Sequence, residues 1–179
     1  LGQCRVFFGF KMIAAGYPDW LILTRPYYRT GYVFVAPAPA PARLGDIPPG
    51  TPIATAVAST ADFRFVQYNN SLPAAQRWQR FPYSNDEAAM RAAAEGTAAA
   101  ALVWAPTFAG LQQQHPELAG LAVIDPAPLA LPDMAVAGVM LSRDTFLRSA
   151  IDQAIDALVA DGSIARILSE TGIPGTAPD

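Results

Sequence analysis

A chain of 179 residues that is 52% hydrophobic and 15% charged can bury a core and does not have the composition of a disordered segment. A formal charge of −3 leaves no footprint for nucleic acid or an anionic membrane surface, and the longest apolar runs fall far short of a membrane span. One cysteine and one histidine exclude an internal disulfide and give no metal-ligand pattern, and nothing in the chain calls for another cofactor. In chain order, residues 3–10 (QCRVFFGF) read as an interior strand. A strand with no neighbour is not stable alone, so the expectation is that more sequence precedes Leu1 and that the first structural unit is incomplete. Cys4 then reads either as a small buried hydrophobe or as the partner of a cysteine in that preceding part. Residues 12–20 form a loop around Gly16 and Pro18.

The most informative stretch is Leu23 to Val35, LTRPYYRTGYVFV. Pro26 fixes its own backbone and pushes Arg25 toward extended geometry, which excludes a helix. Tyr32-Val33-Phe34-Val35 is β-branched and aromatic, a strand signal. Directly after it comes an alternating Ala-Pro run, residues 36–42, and a connector to about Gly50. Prolines 37, 39, 41, 48, 49 and 52 keep that connector extended and semi-rigid. A strand running into a stiff connector predicts a crossing between two lobes.

A second unit follows. Residues 52–57 read as a buried strand, and the hydroxyls of Ser59 and Thr60 open a helix running to about Tyr68. Such a strand-to-helix turn either cradles an anion or is ordinary capping. Residues 78–83 predict a strand. Ser84-Asn85-Asp86-Glu87 reads as a capping box opening an alanine-rich helix that Gly96 stops. Ala98 to Trp104 is apolar throughout, as in a parallel strand covered on both faces. Pro106 starts the next helix, which ends near His115, and 121–124 is one more buried strand. Strand and helix alternate from 52 to 124, which implies a mostly parallel α/β sheet.

A second proline-rich connector, 125–133, leads to a strand at 135–141. Asp144 then caps a long helix whose Leu147, Ile151, Ala154, Ile155 and Leu158 share one face. Gly162 ends it. A last helix from Ser163 turns Ile164, Ile167 and Leu168 inward, Gly172 stops it, and the tail from Gly175 is expected to be loose. The expected organisation is therefore α/β and two-lobed: 1–36 as a partial lobe one, 37–132 as lobe two, and 133–179 returning to lobe one. In open α/β sheets ligands sit off the carboxyl ends of strands, so the cleft between such lobes is the default site.

These segments resemble those of bacterial type 2 periplasmic solute-binding proteins (extracellular solute-binding family 3). LTRPYYRTGYVFV is similar to that family's "FS-x-PYY-x-x-G" signature, and Leu44-Gly45-Asp46-Ile47 to its "LxDL" step. Residues 54–60 resemble "VAVQxGTT" and residues 92–104 "ALxxGxxDAxVxD". Residues 135–141 and 152–167 resemble its closing strand and helices. The likeness spans most of the chain in the right order and implies the type 2 periplasmic binding fold, with the N-terminal part of lobe one missing. Residues 96–106, GTAAAALVWAP, are also similar to "GxIDVAxVWGP" of the J proteins (MxaJ/XoxJ type) that accompany quinoprotein methanol dehydrogenases.

The resemblance implies a periplasmic, non-catalytic binding protein. Amino-acid binders of the family carry an arginine whose matching place falls near Tyr17 and Pro18, and an aspartate where this chain has Trp104. Neither ring replaces a bidentate guanidinium–carboxylate grip, so an α-amino acid is not the expected ligand. The candidate binding residues are Tyr17, Trp20, Tyr27, Tyr28, Ser59, Thr60 and Trp104, an aromatic set with two hydroxyls suited to an apolar ligand or an inserted protein segment. Each also has a plain structural reading: Trp104 and Trp20 as core or cover, Tyr27 and Tyr28 as one inward and one outward strand residue. Arg25 and Arg29 read as solvated or paired, and His115 as a surface residue.

Two functions follow. One is a partner of a PQQ-dependent methanol dehydrogenase, engaging the enzyme in the inter-lobe cleft during its maturation or activation. The alternative is the substrate-binding receptor of an ABC transporter for a small, non-amino-acid solute. An enzyme would need an acid and a base near the cleft, and Asp19 and Asp62 are the nearest carboxylates in sequence.

Overall fold

The computed structural model describes residues 4–13 and 16–178. The strands are β1 (Val6–Lys11), β2 (Leu21–Leu23), β3 (Tyr28–Thr30), β4 (Tyr32–Pro37), β5 (Pro52–Ala56), β6 (Gln79–Tyr83), β7 (Ala100–Trp104), β8 (Leu121–Ile124) and β9 (Met134–Leu141). The α-helices are α1 (Thr60–Ser71), α2 (Asp86–Ala94), α3 (Ala105–Gln114), α4 (Thr145–Ala160) and α5 (Ser163–Thr171). The chain divides into two units, Leu1–Thr30 with Asp133–Asp179, and Gly31–Pro132.

In the first unit the long strand β9 is paired along both edges, with β1 on one side and β2 and β3 on the other, all antiparallel. Gly9, at φ +89°, lets β1 bulge between Phe7 and Phe10 and resume pairing. β1 does not have the interior environment its composition suggests: Phe7 is 61% and Phe8 49% exposed, and Cys4 is exposed rather than buried. Gln3, at the start of the expected strand, lies outside the described residues.

Helix α4 packs through the row Leu147, Ile151, Ile155 and Val159, of which Ile155 is buried and the rest half-buried. Ala154 and Leu158 are exposed, because the packed ridge is the strict i, i+4 row and those two residues lie off it. Asp144 precedes the helix without capping it; its carboxylate takes Arg5 at 3.2 Å instead. In α5, Leu168 is buried and Ile164 half-buried, but Ile167 is 44% exposed.

The tail is not loose. The backbone N–H groups of Arg29 and Thr176 each donate to the other's carbonyl, at 2.8 and 2.9 Å, so residue 176 extends the pairing of β3. Gly175 allows that approach: it sits at φ +155°, and a Cβ there would lie 2.5 Å from the Arg29 carbonyl oxygen. Gly175→Ala is therefore expected to detach the tail and cost about 1–3 kcal/mol. Hydrogen exchange at the Arg29 and Thr176 amides checks this; unchanged protection would contradict it.

In the second unit the strand order is β6-β5-β7-β4-β8. β5 runs parallel to β6 and β7, whereas β4 lies antiparallel between β7 and β8. Alternation along β4 divides the core. Val35 points into the layer under α2, with Ala89, Met90, Ala93, Ala101 and Val103. Phe34, fully buried, meets Phe65 of α1 at 6.2 Å between ring centroids, and Phe65 meets Trp78 at 6.3 Å. The small side chains of α2 bring its backbone close to the sheet, which explains the alanine run. Its cap is Asn85, whose side chain accepts from the Ala88 N–H at 2.9 Å, so the capping residue is one later than the expected Ser84.

The expected boundary at residue 36 and the observed one at Thr30/Gly31 differ by β4, which pairs with β7 and β8. The first proline-rich connector and the second as far as Pro132 also belong to this unit and are tied to each other. The Leu44 N–H donates to the Asp125 carbonyl at 2.8 Å, Gly45 N–H to Ala127 at 3.0 Å, and Asp125 N–H to Ala42 at 3.1 Å.

Candidate functional site

Three chain segments converge where β5 and β7 end in the Gly31–Pro132 unit. β5 turns into α1 through Ala58, which holds a left-handed φ of 62°. That conformation costs a non-glycine residue about 1 kcal/mol and is found where surrounding contacts impose it. Ser59 caps α1, its hydroxyl oxygen accepting the Asp62 N–H at 3.0 Å. β7 ends at Trp104, and Pro106 lies in the first turn of the helix that follows. β4 begins beside it in antiparallel register, Tyr32 opposite Trp104, with the Ala105 N–H donating to the Gly31 carbonyl at 3.0 Å.

This register brings side chains distant in sequence together. The Tyr32 and Trp104 rings meet edge to face at 4.9 Å and 64°. The Tyr32 hydroxyl reaches Thr60, which offers it both its side-chain hydroxyl and its backbone N–H. Asp86, the first residue of α2, accepts the Trp104 backbone N–H at 3.4 Å and acts electrostatically on Tyr32. Burial, then the Asp86 charge, push the Tyr32 phenol up to about 12 against the two Thr60 hydrogen bonds. At neutral pH it is therefore a protonated donor and not a base. Trp104 is 7% exposed and so belongs to the core; Thr60 is exposed and Asp86 half-buried.

Asp62 is not a free acid for this site. Its carboxylate is held bidentately by Arg80, both contacts at 2.7 Å, and by the Thr55 hydroxyl at 2.8 Å. Burial works to raise it, but Arg80, Thr55 and the Ala58 N–H together hold it below the usual carboxylate range. Asp19, the other carboxylate noted from the sequence, is exposed. The geometry brings together two rings, hydroxyl donors and one carboxylate, and within this cluster no nucleophile is paired with a base.

The other expected site residues belong to the first unit. Tyr27 accepts the Gly9 N–H at 2.8 Å, and its ring stands between Phe8 at 5.8 Å and Tyr28 at 5.3 Å. Both tyrosines are half-buried, not one inward and one outward, because Tyr27 precedes β3 and only Tyr28 is in its ladder. Burial raises the phenols of both. The Tyr17 hydroxyl takes the Ile13 N–H at 2.6 Å and its ring packs on Phe10 at 5.5 Å. Trp20 is 60% exposed and so does not act as cover among the described residues. Arg25 pairs with Asp156 at 2.7 Å. His115 is half-buried at the end of α3, 3.3 Å from Arg91 and 3.5 Å from Glu117.

The structure thus joins Ser59, Thr60 and Trp104 in one cluster and Tyr27 with Tyr28 in another. Sequence reasoning did not place Tyr32 and Asp86 in this cluster. Tyr32 read as an ordinary strand residue because nothing local predicts that β4 lies antiparallel beside β7. Asp86 read as part of a helix cap. Among the described residues no group of three or more His, Cys, Asp or Glu side chains could hold a metal ion, and no helix is long and apolar enough to cross a membrane.

No family model and no curated protein sequence matches the chain. Solved structures do. An amino acid ABC transporter substrate-binding protein, AbpA of Streptococcus pneumoniae, crystallised with L-arginine, superposes with a TM-score of 0.67 at 16% identity, over 95% of this chain and 68% of that one. A histidine kinase sensor domain described as similar to periplasmic binding proteins gives 0.70 at 14%, over 99% and 73%. The VFT2 domain of Bordetella pertussis BvgS (double mutant F375E/Q461E) gives 0.68 at 22%, over 94% and 68%. The fold is that of the type 2 periplasmic binding proteins. Neighbours of this fold are binding proteins and sensor domains, and this chain spans about seven-tenths of their length.

Proposed function

We propose that this protein is a non-catalytic, extracytoplasmic solute-binding receptor of the kind that serves ABC transporters, and that its solute is not an α-amino acid. The observation that carries this reading is the Tyr32–Trp104–Thr60–Asp86 cluster at the carboxyl ends of β5 and β7, where open α/β sheets take ligands. The fold shared with substrate-binding proteins supports it. Trp104 presents a ring where the family resemblance implies a carboxylate for an α-amino group, which argues against a zwitterion. Ser59, Thr60 and Trp104 are the residues assigned to the solute in this unit.

A second reading keeps the J-type resemblance: an accessory protein that binds a PQQ-dependent methanol dehydrogenase. Val57 and Phe63, which flank the start of α1 in sequence, are 50% and 63% exposed, an apolar display that suits a protein partner. Thermal-shift and tryptophan-fluorescence measurements against a panel of small solutes, run beside a pull-down with the dehydrogenase, decide between them. A saturable response to a solute, weakened in Thr60→Ala, is the expected result. Capture of the dehydrogenase with no response to any solute overturns the receptor reading.

A further inference from the structure

Helix α4 carries an outer face that its charges avoid. Phe146, Ala150, Ala154 and Leu158 form an i, i+4 row on the ridge next to the packed one that holds Ile155. All four are exposed, Phe146 at 88%, and Ala157 is exposed beside them. The charged residues of the helix lie off this row and are spent within the chain, Arg148 on Asp152 at 3.3 Å and Asp156 on Arg25 at 2.7 Å. A helix face turned to water is normally polar, and a bare apolar one marks a contact surface. An opposite charge stands at each end of the row. Arg143, just ahead of α4, is exposed and forms no ion pair among the described residues. Asp161, just past the end of the helix, is exposed too, with one carboxylate oxygen taking the Ser163 N–H at 2.8 Å.

We infer that this face of α4 is the docking surface for a second copy of the chain, the two α4 helices lying antiparallel about a twofold axis. The row is symmetric about its own midpoint. An axis at the level of Asp152 sets Phe146 opposite the partner's Leu158, Ala150 opposite the partner's Ala154, and Arg143 opposite the partner's Asp161. The central alanines let the two backbones approach to about 8 Å, while the larger side chains bury apolar surface on either side. A parallel pair would set Arg143 beside its own copy, so charge selects the antiparallel one. The face is thus complementary to itself in shape and in charge, which a surface built for an unrelated partner need not be. One helix from each copy is a small interface, so the dimer is weak, with a dissociation constant of about 10–100 µM. None of these residues is assigned to the solute, and the inference stands apart from the receptor reading.

The test is sedimentation equilibrium of the intact protein at low salt, from about 5 to about 500 µM, a range that brackets the expected constant. The wild type is expected to pass from monomer to dimer across it. Ala154→Glu keeps a good helix former at an exposed position, so it should abolish the dimer without lowering the Tm. Arg143→Asp and Asp161→Arg each set like charges opposite one another, and each should weaken self-association about five- to tenfold. Mixed together, the two variants should recover the wild-type affinity, because each copy then faces the opposite charge. A protein that stays monomeric throughout, a dimer that Ala154→Glu leaves intact, or single charge variants that associate as the wild type does, overturns the inference. A mixture that associates more tightly than the wild type assigns a parallel pair and overturns it too. A monomer that binds phosphatidylcholine vesicles, with binding lost in Phe146→Glu, overturns it in favour of a lipid surface.

Discussion

Arg80→Met is expected to destabilise the Gly31–Pro132 unit by about 2–3 kcal/mol, less than the about 3–5 kcal/mol of a fully buried ion pair because the Arg80 side chain is itself 31% exposed. The reason lies in how little water reaches the other partner. The Asp62 side chain is only 6% exposed, and both its oxygens are spent on Arg80, with the Thr55 hydroxyl sharing one of them. Without the guanidinium, Thr55 and backbone donors must hold a charge whose burial alone would raise it. The pH dependence carries a sign that checks the mechanism. In the wild type the folded-state value of Asp62 lies below its ordinary 3.8, so its contribution is fully present above about pH 4 and is lost as pH falls through that lowered value. In Arg80→Met the folded-state value rises, and protonation relieves the buried charge. The stability gap between the two proteins should therefore be widest at neutral pH and close in acid. Urea unfolding from pH 3 to 7 reads it directly. A gap below about 1 kcal/mol at pH 7, or one that does not narrow in acid, would show the pair to be a surface-type interaction. In the Asp62→Asn/Arg80→Met double variant the cost should be well short of the two single costs added, since one network is being removed once.

Much of the architecture was legible because it is written in local patterns. The apolar run ending at Trp104, the hydroxyl ahead of α1, Pro106 in the first turn of α3, and glycines 96, 162 and 172 each act within a few residues, and the elements they mark occur where expected. What could not be read depends on pairing over long sequence distance. β4 was recognisable as a strand, but nothing in Tyr32-Val33-Phe34-Val35 says that its neighbours are residues 101–104 and 121–124. For the same reason Tyr32 was passed over, and Trp104, weighed from the sequence as core against contact, lies buried against it. Asp144 illustrates the opposite failure. Its type and position suit a cap, yet a charge more than a hundred residues away, on Arg5, takes the carboxylate. The tail at Gly175 looked unattached because the feature that ties it down, a backbone bridge to Arg29, leaves no mark in side-chain pattern.

Trp104→Ala is expected to cost about 3–5 kcal/mol, since the side chain is almost fully buried and the cavity it leaves cannot be refilled by its neighbours. That cost has a consequence for any binding experiment: a ligand lost in the alanine variant reports on the fold as much as on the site. The informative companion is Trp104→Phe, which keeps a ring beside Tyr32 and should cost less than the alanine variant, about 1–3 kcal/mol. The two variants separate the roles that burial alone leaves merged. The alanine variant opens the Tyr32 phenol to water, and because burial is the first cause of its raised value, its ionisation should fall back from about 12 toward the ordinary 10.0. Absorbance at alkaline pH follows this, with Tyr32→Phe as the blank. The phenylalanine variant should leave the phenol close to its wild-type value yet bind solute several-fold more weakly, because a smaller ring offers less surface and a weaker quadrupole to the ligand. A phenylalanine variant that binds as the wild type does would return Trp104 to the core and leave Thr60 and Asp86 as the contacts this unit provides.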